Sequence, residues 1–152
     1  MKRFFLPCLC LIFTLTGCST IILPRYIPDK NPTQKKLYAD YDRVVAATKA
    51  AFKDLGWEVA EEADPAVYER AWQLRDKNVK QILLMSDYHK SNFLIVSKNT
   101  AINAYIRAGA DATELELRYL RVSTYPFKSF YKYRNNKLIN ALFQRIDKNL
   151  NE

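Results

Sequence analysis

Glycine is scarce in this 152-residue chain, which has only Gly17, Gly56 and Gly109. A phosphate-cradling loop needs glycines close together, so no such nucleotide-binding motif is present. Cysteine is confined to Cys8, Cys10 and Cys18. Residues 19–152 therefore form no internal disulfide and offer no thiolate metal ligand. His89 is the single histidine, too few nitrogen donors for a zinc or copper centre. It falls in Asp87-Tyr88-His89-Lys90-Ser91, which reads as a surface turn. Ser86, Asp87 and Ser91 are near it in sequence, but a turn does not hold a nucleophile, a base and an orienting acid in place. Glu58, Glu61, Glu62 and Asp64 cluster on one strand and its exit, whereas glycosidases set two carboxylates across the scissile bond. No catalytic residue, metal ligand or cofactor is expected. Long apolar runs are missing too. Phe4 to Thr16 spans about 20 Å as a helix, against a hydrocarbon core of about 30 Å.

What the chain does have begins with that short run. Lys2 and Arg3 precede it, and small residues lead from it to Cys18, the layout of a secretory signal. Its last four residues, Leu15-Thr16-Gly17-Cys18, resemble the lipobox of bacterial lipoproteins. The resemblance implies a signal peptide over residues 1–17, removed by cleavage, and a mature chain that starts at an acylated Cys18. Ser19, rather than Asp, follows the cysteine, similar to the pattern sorted to the Gram-negative outer membrane. The location implied is the cell envelope, on the periplasmic face of that membrane. Lipoproteins carry several acyl chains, and two or more chains anchor a protein stably.

Residues 18–36 read as the lipidated cysteine and a tether. Pro24, Pro28 and Pro32 interrupt it, with polar residues between them. As an extended spacer it reaches up to about 50 Å from the bilayer. Residues 37–152 read as one α+β domain. Tyr41, Val44, Val45, Thr48, Phe52 and Leu55 recur at helical spacing, predicting a helix from about Asp40 to Leu55, capped by Asp40 or Asp42 and stopped by Gly56. Trp57 to Glu62 then alternates as a half-buried strand. Val67 to Leu74 fits either a short helix opened by Pro65 or an extended segment, with a loop near Arg75–Asn78. Lys80 to Ser86 reads as a strand, Asp87–Ser91 as a turn and Phe93-Leu94-Ile95-Val96 as a buried strand. Lys98-Asn99-Thr100 reads as another turn, before strands over Ala101–Arg107 and Thr113–Ser123 joined at Gly109–Asp111. Pro126 is expected to end the strands. Leu138, Ile139, Leu142, Phe143, Ile146 and Leu150 make the stripe of a last helix, capped by Asn135 or Asn136. Two helices with single apolar faces must cover a sheet, which predicts a two-layer sandwich of four to six antiparallel strands. This order, with the stretch Val44–Val59 in which a helix ends at Gly-Trp and enters a strand, is similar to small envelope lipoprotein domains. Among these are the BamC-like domains of the outer-membrane β-barrel assembly machinery. The resemblance implies a non-catalytic scaffold or binding role in outer-membrane assembly or maintenance.

Charge is unevenly placed. Residues 18–117 hold 14 Lys/Arg and 14 Asp/Glu, but residues 118–152 hold eight basic residues against Asp147 and Glu152. Arg118 to Lys137 contains no acid and interleaves cations with aromatics. Two readings stay open here. In one, the aromatics of 125–133 pack the joint between last strand and last helix, or Phe127 and Phe130 turn inward while Lys128 and Lys132 face water. In the other, Lys128, Lys132, Arg134, Phe127, Phe130 and Tyr131 form a surface for an anionic partner. An exported chain does not meet nucleic acid, so the partners expected are an envelope protein, anionic lipid or cell-wall polymer, besides the membrane reached through Cys18. The alternatives are a lipid or glycan binder with an aromatic groove between sheet and last helix, and a hydrolase of envelope polymers.

Overall fold

Asp40 and Gly56 bracket the first helix. The structure, a computed structural model, describes residues 23–68 and 79–152. In it α1 runs Tyr41–Asp54, and the Asp40 carboxylate accepts from the Asp42 N–H at 2.9 Å. Gly56 takes φ +77°, which lets its N–H reach the Lys53 carbonyl at 2.9 Å and the Trp57 N–H reach Phe52 at 2.8 Å. That pair of bonds satisfies the orphan carbonyls of the last turn. The second helix, α2 (Asn136–Asn151), is capped by Asn135, whose side chain accepts from the Leu138 N–H.

Among the described residues, seven strands form one antiparallel sheet, one more than the upper bound expected from sequence. They are β1 (Thr33–Leu37), β2 (Val59–Ala63), β3 (Gln81–Ser86), β4 (His89–Phe93), β5 (Val96–Ala108), β6 (Thr113–Tyr125) and β7 (Lys128–Lys132). The order is β1-β6-β5-β3-β2, with β4 beside β5 and β7 beside β6 at the other end of the sheet. Both helices pack on one face. Val44, Ala51 and Phe52 of α1 share a buried cluster with Ile139, Leu142 and Ile146 of α2 and with Ile102, Ala104, Leu115 and Leu117 of the sheet. Burying each such side chain contributes about 1.5–3 kcal/mol.

Three expectations are corrected. Phe93-Leu94-Ile95-Val96 is not a buried strand: Leu94 and Ile95 form an exposed two-residue turn between β4 and β5. Lys98-Asn99-Thr100 does not turn but lies inside β5. Pro126 does not end the strands, because β7 follows it. Leu94-Ile95 is the turn that lets Phe93 pair with Val96. Lys98-Asn99-Thr100 is held extended by ladders to β4 on one side and β6 on the other. Pro126 sits in the turn before β7, where no ladder N–H is required of it. Val67 ends a short 3-10 turn opened by Pro65, with Asp64 as its cap. The rest of the ambiguous stretch to Leu74, and the loop expected near Arg75–Asn78, lie outside the described residues. So does Cys18 with the segment before it.

The expected tether is largely structured where it is described. Thr33–Leu37 is the edge strand β1. Ahead of it, Ile27 is buried against Ala101, Leu120 and Val122 on the sheet face opposite the helices, with Leu23, Tyr88 and Tyr133 around it. Proline does not prevent this, since the segment binds by side chains and carbonyls rather than as a ladder strand. The Arg118 guanidinium donates to the Tyr26 hydroxyl at 3.2 Å and the Ile27 carbonyl at 3.3 Å. Asn103 donates to the Arg25 carbonyl, and Tyr88 to that of Pro24. Arg118 is buried against Glu116, which also accepts from Gln34 at 2.7 Å.

Removing one member of a buried ion pair leaves the other uncompensated, at about 3–5 kcal/mol. Arg118→Ala is therefore expected to lower stability by about 3 kcal/mol in urea unfolding, and to speed tryptic cleavage after Arg25. Burial pushes the Tyr88 phenol above its ordinary value. A raised folded-state pKa means that this contribution is complete below about pH 10 and is lost as pH rises through the folded value. Loosening of Leu23–Ile27 at alkaline pH, read by the same proteolysis, should lose its Tyr88-dependent part in Tyr88→Phe.

Candidate functional site

The lengths of the elements leave part of the sheet uncovered. The strands β5 and β6 have 13 residues each and pair without a register break from Ser97↔Thr124 to Ala108↔Thr113. At about 3.3 Å per residue each is about 43 Å long. The helices have 14 and 16 residues, about 21 and 24 Å. They cover the half that carries β1, β2 and β3. The other half extends as a four-stranded arm in the order β4-β5-β6-β7.

The arm ends in two adjacent tight turns. Phe93 pairs with Val96 around Leu94-Ile95, and Tyr125 pairs with Lys128 around Pro126-Phe127. Two-residue turns normally use Asn-Gly, Asp-Gly or other glycine-bearing pairs. Here the tips are apolar. Leu94 is 89% exposed and Phe127 101%, with Phe93 at 69% and Ile95 at 72%. Leu94 also holds φ +51°, a left-handed conformation that costs a side-chain-bearing residue about 1–2 kcal/mol. Behind the tips, Tyr125 and Phe130 meet edge to face with centroids 5.5 Å apart, and the Lys128 ammonium sits 5.0 Å from the Phe130 ring.

Charge on the arm has one sign. Residues 88–100 and 119–134 include Lys90, Lys98, Arg121, Lys128, Lys132 and Arg134 and no Asp or Glu. By register, Lys98, Arg121, Lys128 and Lys132 project from the face that carries the helices lower down. Elsewhere several cations find carboxylates: Lys35 pairs with Asp147, Lys49 with Glu62, and Arg107 with Glu114. Among the described residues, Lys90, Lys98, Arg121, Lys128 and Lys132 pair with none. At the base, the His89 ring stacks on Trp57 at 3.7 Å, and its Nε2 lies 2.7 Å from the Gly56 carbonyl. The arm is thus seated on the end of α1.

The sequence-predicted binding residues fall mostly together. Phe127 and Lys128 are at one tip, and Phe130, Tyr131 and Lys132 follow on β7, all exposed. Neither inward reading of Phe127 and Phe130 holds: both are exposed, and among the described residues β7 is an edge strand with no helix against it. Tyr131 projects to the opposite face from Phe130, and Arg134 lies past β7, where its Nε donates to Asn136 at 2.8 Å. Arg134 is therefore not part of the tip. Sequence reasoning missed Phe93, Leu94, Ile95, Lys90 and Lys98. No local signal marked them, since a four-residue apolar run also fits a short buried strand and only the sheet order puts this turn beside Phe127.

Several of the groups considered for catalysis are engaged in structural bonds. The Ser86 hydroxyl donates to the Asp87 carbonyl and accepts from the Ile102 N–H. Glu61 accepts from Arg25 and from Tyr68, whose phenol is raised above its usual range first by that bond. Asp64 caps the 3-10 turn. On the back of the sheet a cleft of about 390 Å³ is lined by Gln34, Tyr105, Arg107, Glu114 and Glu116, whose charged members are paired. The chain matches no protein-family model and no curated protein sequence.

Since the exposed Leu94 side chain contributes little packing, Leu94→Gly should stabilise the fold, by up to about 1 kcal/mol, through relief of the left-handed backbone. A rise of a few degrees in Tm checks it.

Proposed function

We propose that this protein is a membrane-anchored envelope lipoprotein whose folded part is a non-catalytic binding domain, serving outer-membrane assembly or maintenance, with the arm as its binding surface. The observation that carries the reading is the arm: an acid-free, apolar-tipped half-sheet that no helix covers among the described residues. Monomeric proteins rarely expose contiguous apolar surface without a use for it, and strain held at an exposed residue points to function rather than folding. The lipobox-like Leu15-Thr16-Gly17-Cys18 supplies the anchor. The packed cluster between sheet and α2 favours this reading over a groove enclosing lipid or glycan.

The anchor is tested on protein made in a Gram-negative host and purified from its membranes. Intact mass is expected to correspond to a chain beginning at an acylated Cys18, and Cys18→Ser is expected to abolish incorporation of labelled fatty acid. A mature species retaining an unmodified Met1 would remove the anchor from the proposal. For the binding surface, reversing Lys128 and Lys132 to Glu should reduce crosslinking of the acylated protein to its envelope neighbours without changing its Tm. Unchanged crosslinking would discard that surface.

A further inference from the structure

We infer that the occupant of the arm is an anionic lipid bilayer, into whose headgroup region the two turns Leu94-Ile95 and Pro126-Phe127 insert. This rests on the reading of the arm as a binding surface and of Cys18 as the lipid anchor, and adds a second, non-covalent contact with the membrane.

Shape comes first. The apolar side chains sit at the convex ends of two neighbouring hairpins rather than in a groove or on a flat face. A protruding tip is presented to a soft medium more readily than to the complementary hollow that a protein partner would need. Composition agrees, because aromatic rings and lysines together favour the boundary between headgroups and acyl chains. Charge narrows the partner further. The cations behind the tips have no acid among them, which suits a leaflet of phosphate-bearing lipids and opposes a second copy of the same arm.

Reach supplies the independent argument. Leu23 packs beside the cluster of Ile27, Ala101, Leu120 and Val122 at the base of the arm. Cys18 is five residues before it, a span of at most about 18 Å however the chain runs. From Ala101 to Ile95 along β5 is six residues, about 20 Å. An acyl anchor at Cys18 thus holds the base of the arm within about one arm's length of the bilayer. A spacer running free over residues 19–36 would instead let the domain stand up to about 50 Å away, with the tips clear of the surface.

The experiment uses the acylated full-length protein. Because residues 19–152 contain no cysteine, single thiols introduced by Leu94→Cys, Phe127→Cys and, on the exposed side of α2, Gln144→Cys can be spin-labelled selectively. The proteins are reconstituted into vesicles of phosphatidylethanolamine and phosphatidylglycerol, or of phosphatidylcholine alone. Accessibility to a water-soluble nickel chelate and to oxygen then reports depth. The expected result in anionic vesicles is loss of chelate access with gain of oxygen access at 94 and 127, while 144 stays aqueous. The shift should shrink in phosphatidylcholine and when Lys98, Lys128 and Lys132 are changed to Gln. Vesicle-bound protein with both tip labels in water would overturn insertion and leave the anchor standing. Tip labels shielded only after an envelope protein is added would overturn it in favour of a protein partner. Protein recovered with neither vesicle would overturn anchor and insertion together.

Discussion

The unbroken pairing of β5 with β6 is the constraint on which the rest of the molecule depends. Twelve residue pairs run in one register from Ser97↔Thr124 to Ala108↔Thr113. Because side chains alternate strictly along such a ladder, a single choice of register fixes two environments on each face. Ile102, Ala104, Leu115 and Leu117 meet the helices, while Ala101, Leu120 and Val122 receive Ile27. A slip of one residue would turn each set to the wrong side. The same continuity carries the strands past the helices, so the arm is an extension of the folded core and not an appended loop.

That extension has a liability. Among the described residues, each of β4 and β7 borders the arm with unpaired backbone groups, the kind of edge that recruits another strand. Lys90 on β4 and Lys128 and Lys132 on β7 provide like-charge repulsion against such pairing. The cations that fit an anionic surface therefore also protect the edges in solution. One set of residues would meet both demands.

Much of this was legible from sequence, and the failures share a cause. Both helices and their caps followed from apolar spacing with Asp40, Gly56 and Asn135, because capping chemistry is local. The strand at Gln81–Ser86 and the paired strands around Gly109–Asp111 were also readable. At Gly109 an added Cβ would meet the Ala112 carbonyl at 2.5 Å, which makes that turn explicit. What failed was the assumption that apolar means inside. Phe93 to Val96 read as a buried strand and the aromatics of 125–133 as candidate packing for the last helix, yet both runs surround exposed turns. Hydrophobic pattern reports the medium a residue prefers, not whether protein supplies it. Among the candidate binding residues, composition alone singled out Phe127, Lys128, Phe130 and Lys132, whereas the neighbouring hairpin at Leu94 needed the sheet order to place it beside them.

The clasp of Arg118 on Tyr26 and Ile27 has a mechanical consequence. While it holds, a chain fixed at Cys18 is leashed at Leu23. If the clasp opens and Leu23–Ile27 peels away, the next fixed point is Thr33 in β1, and the slack grows from five residues to fifteen, from about 18 Å to about 50 Å at full stretch. Local unfolding of a few residues would work as a ratchet pawl on the stand-off distance, releasing the whole body without breaking the cluster between sheet and helices.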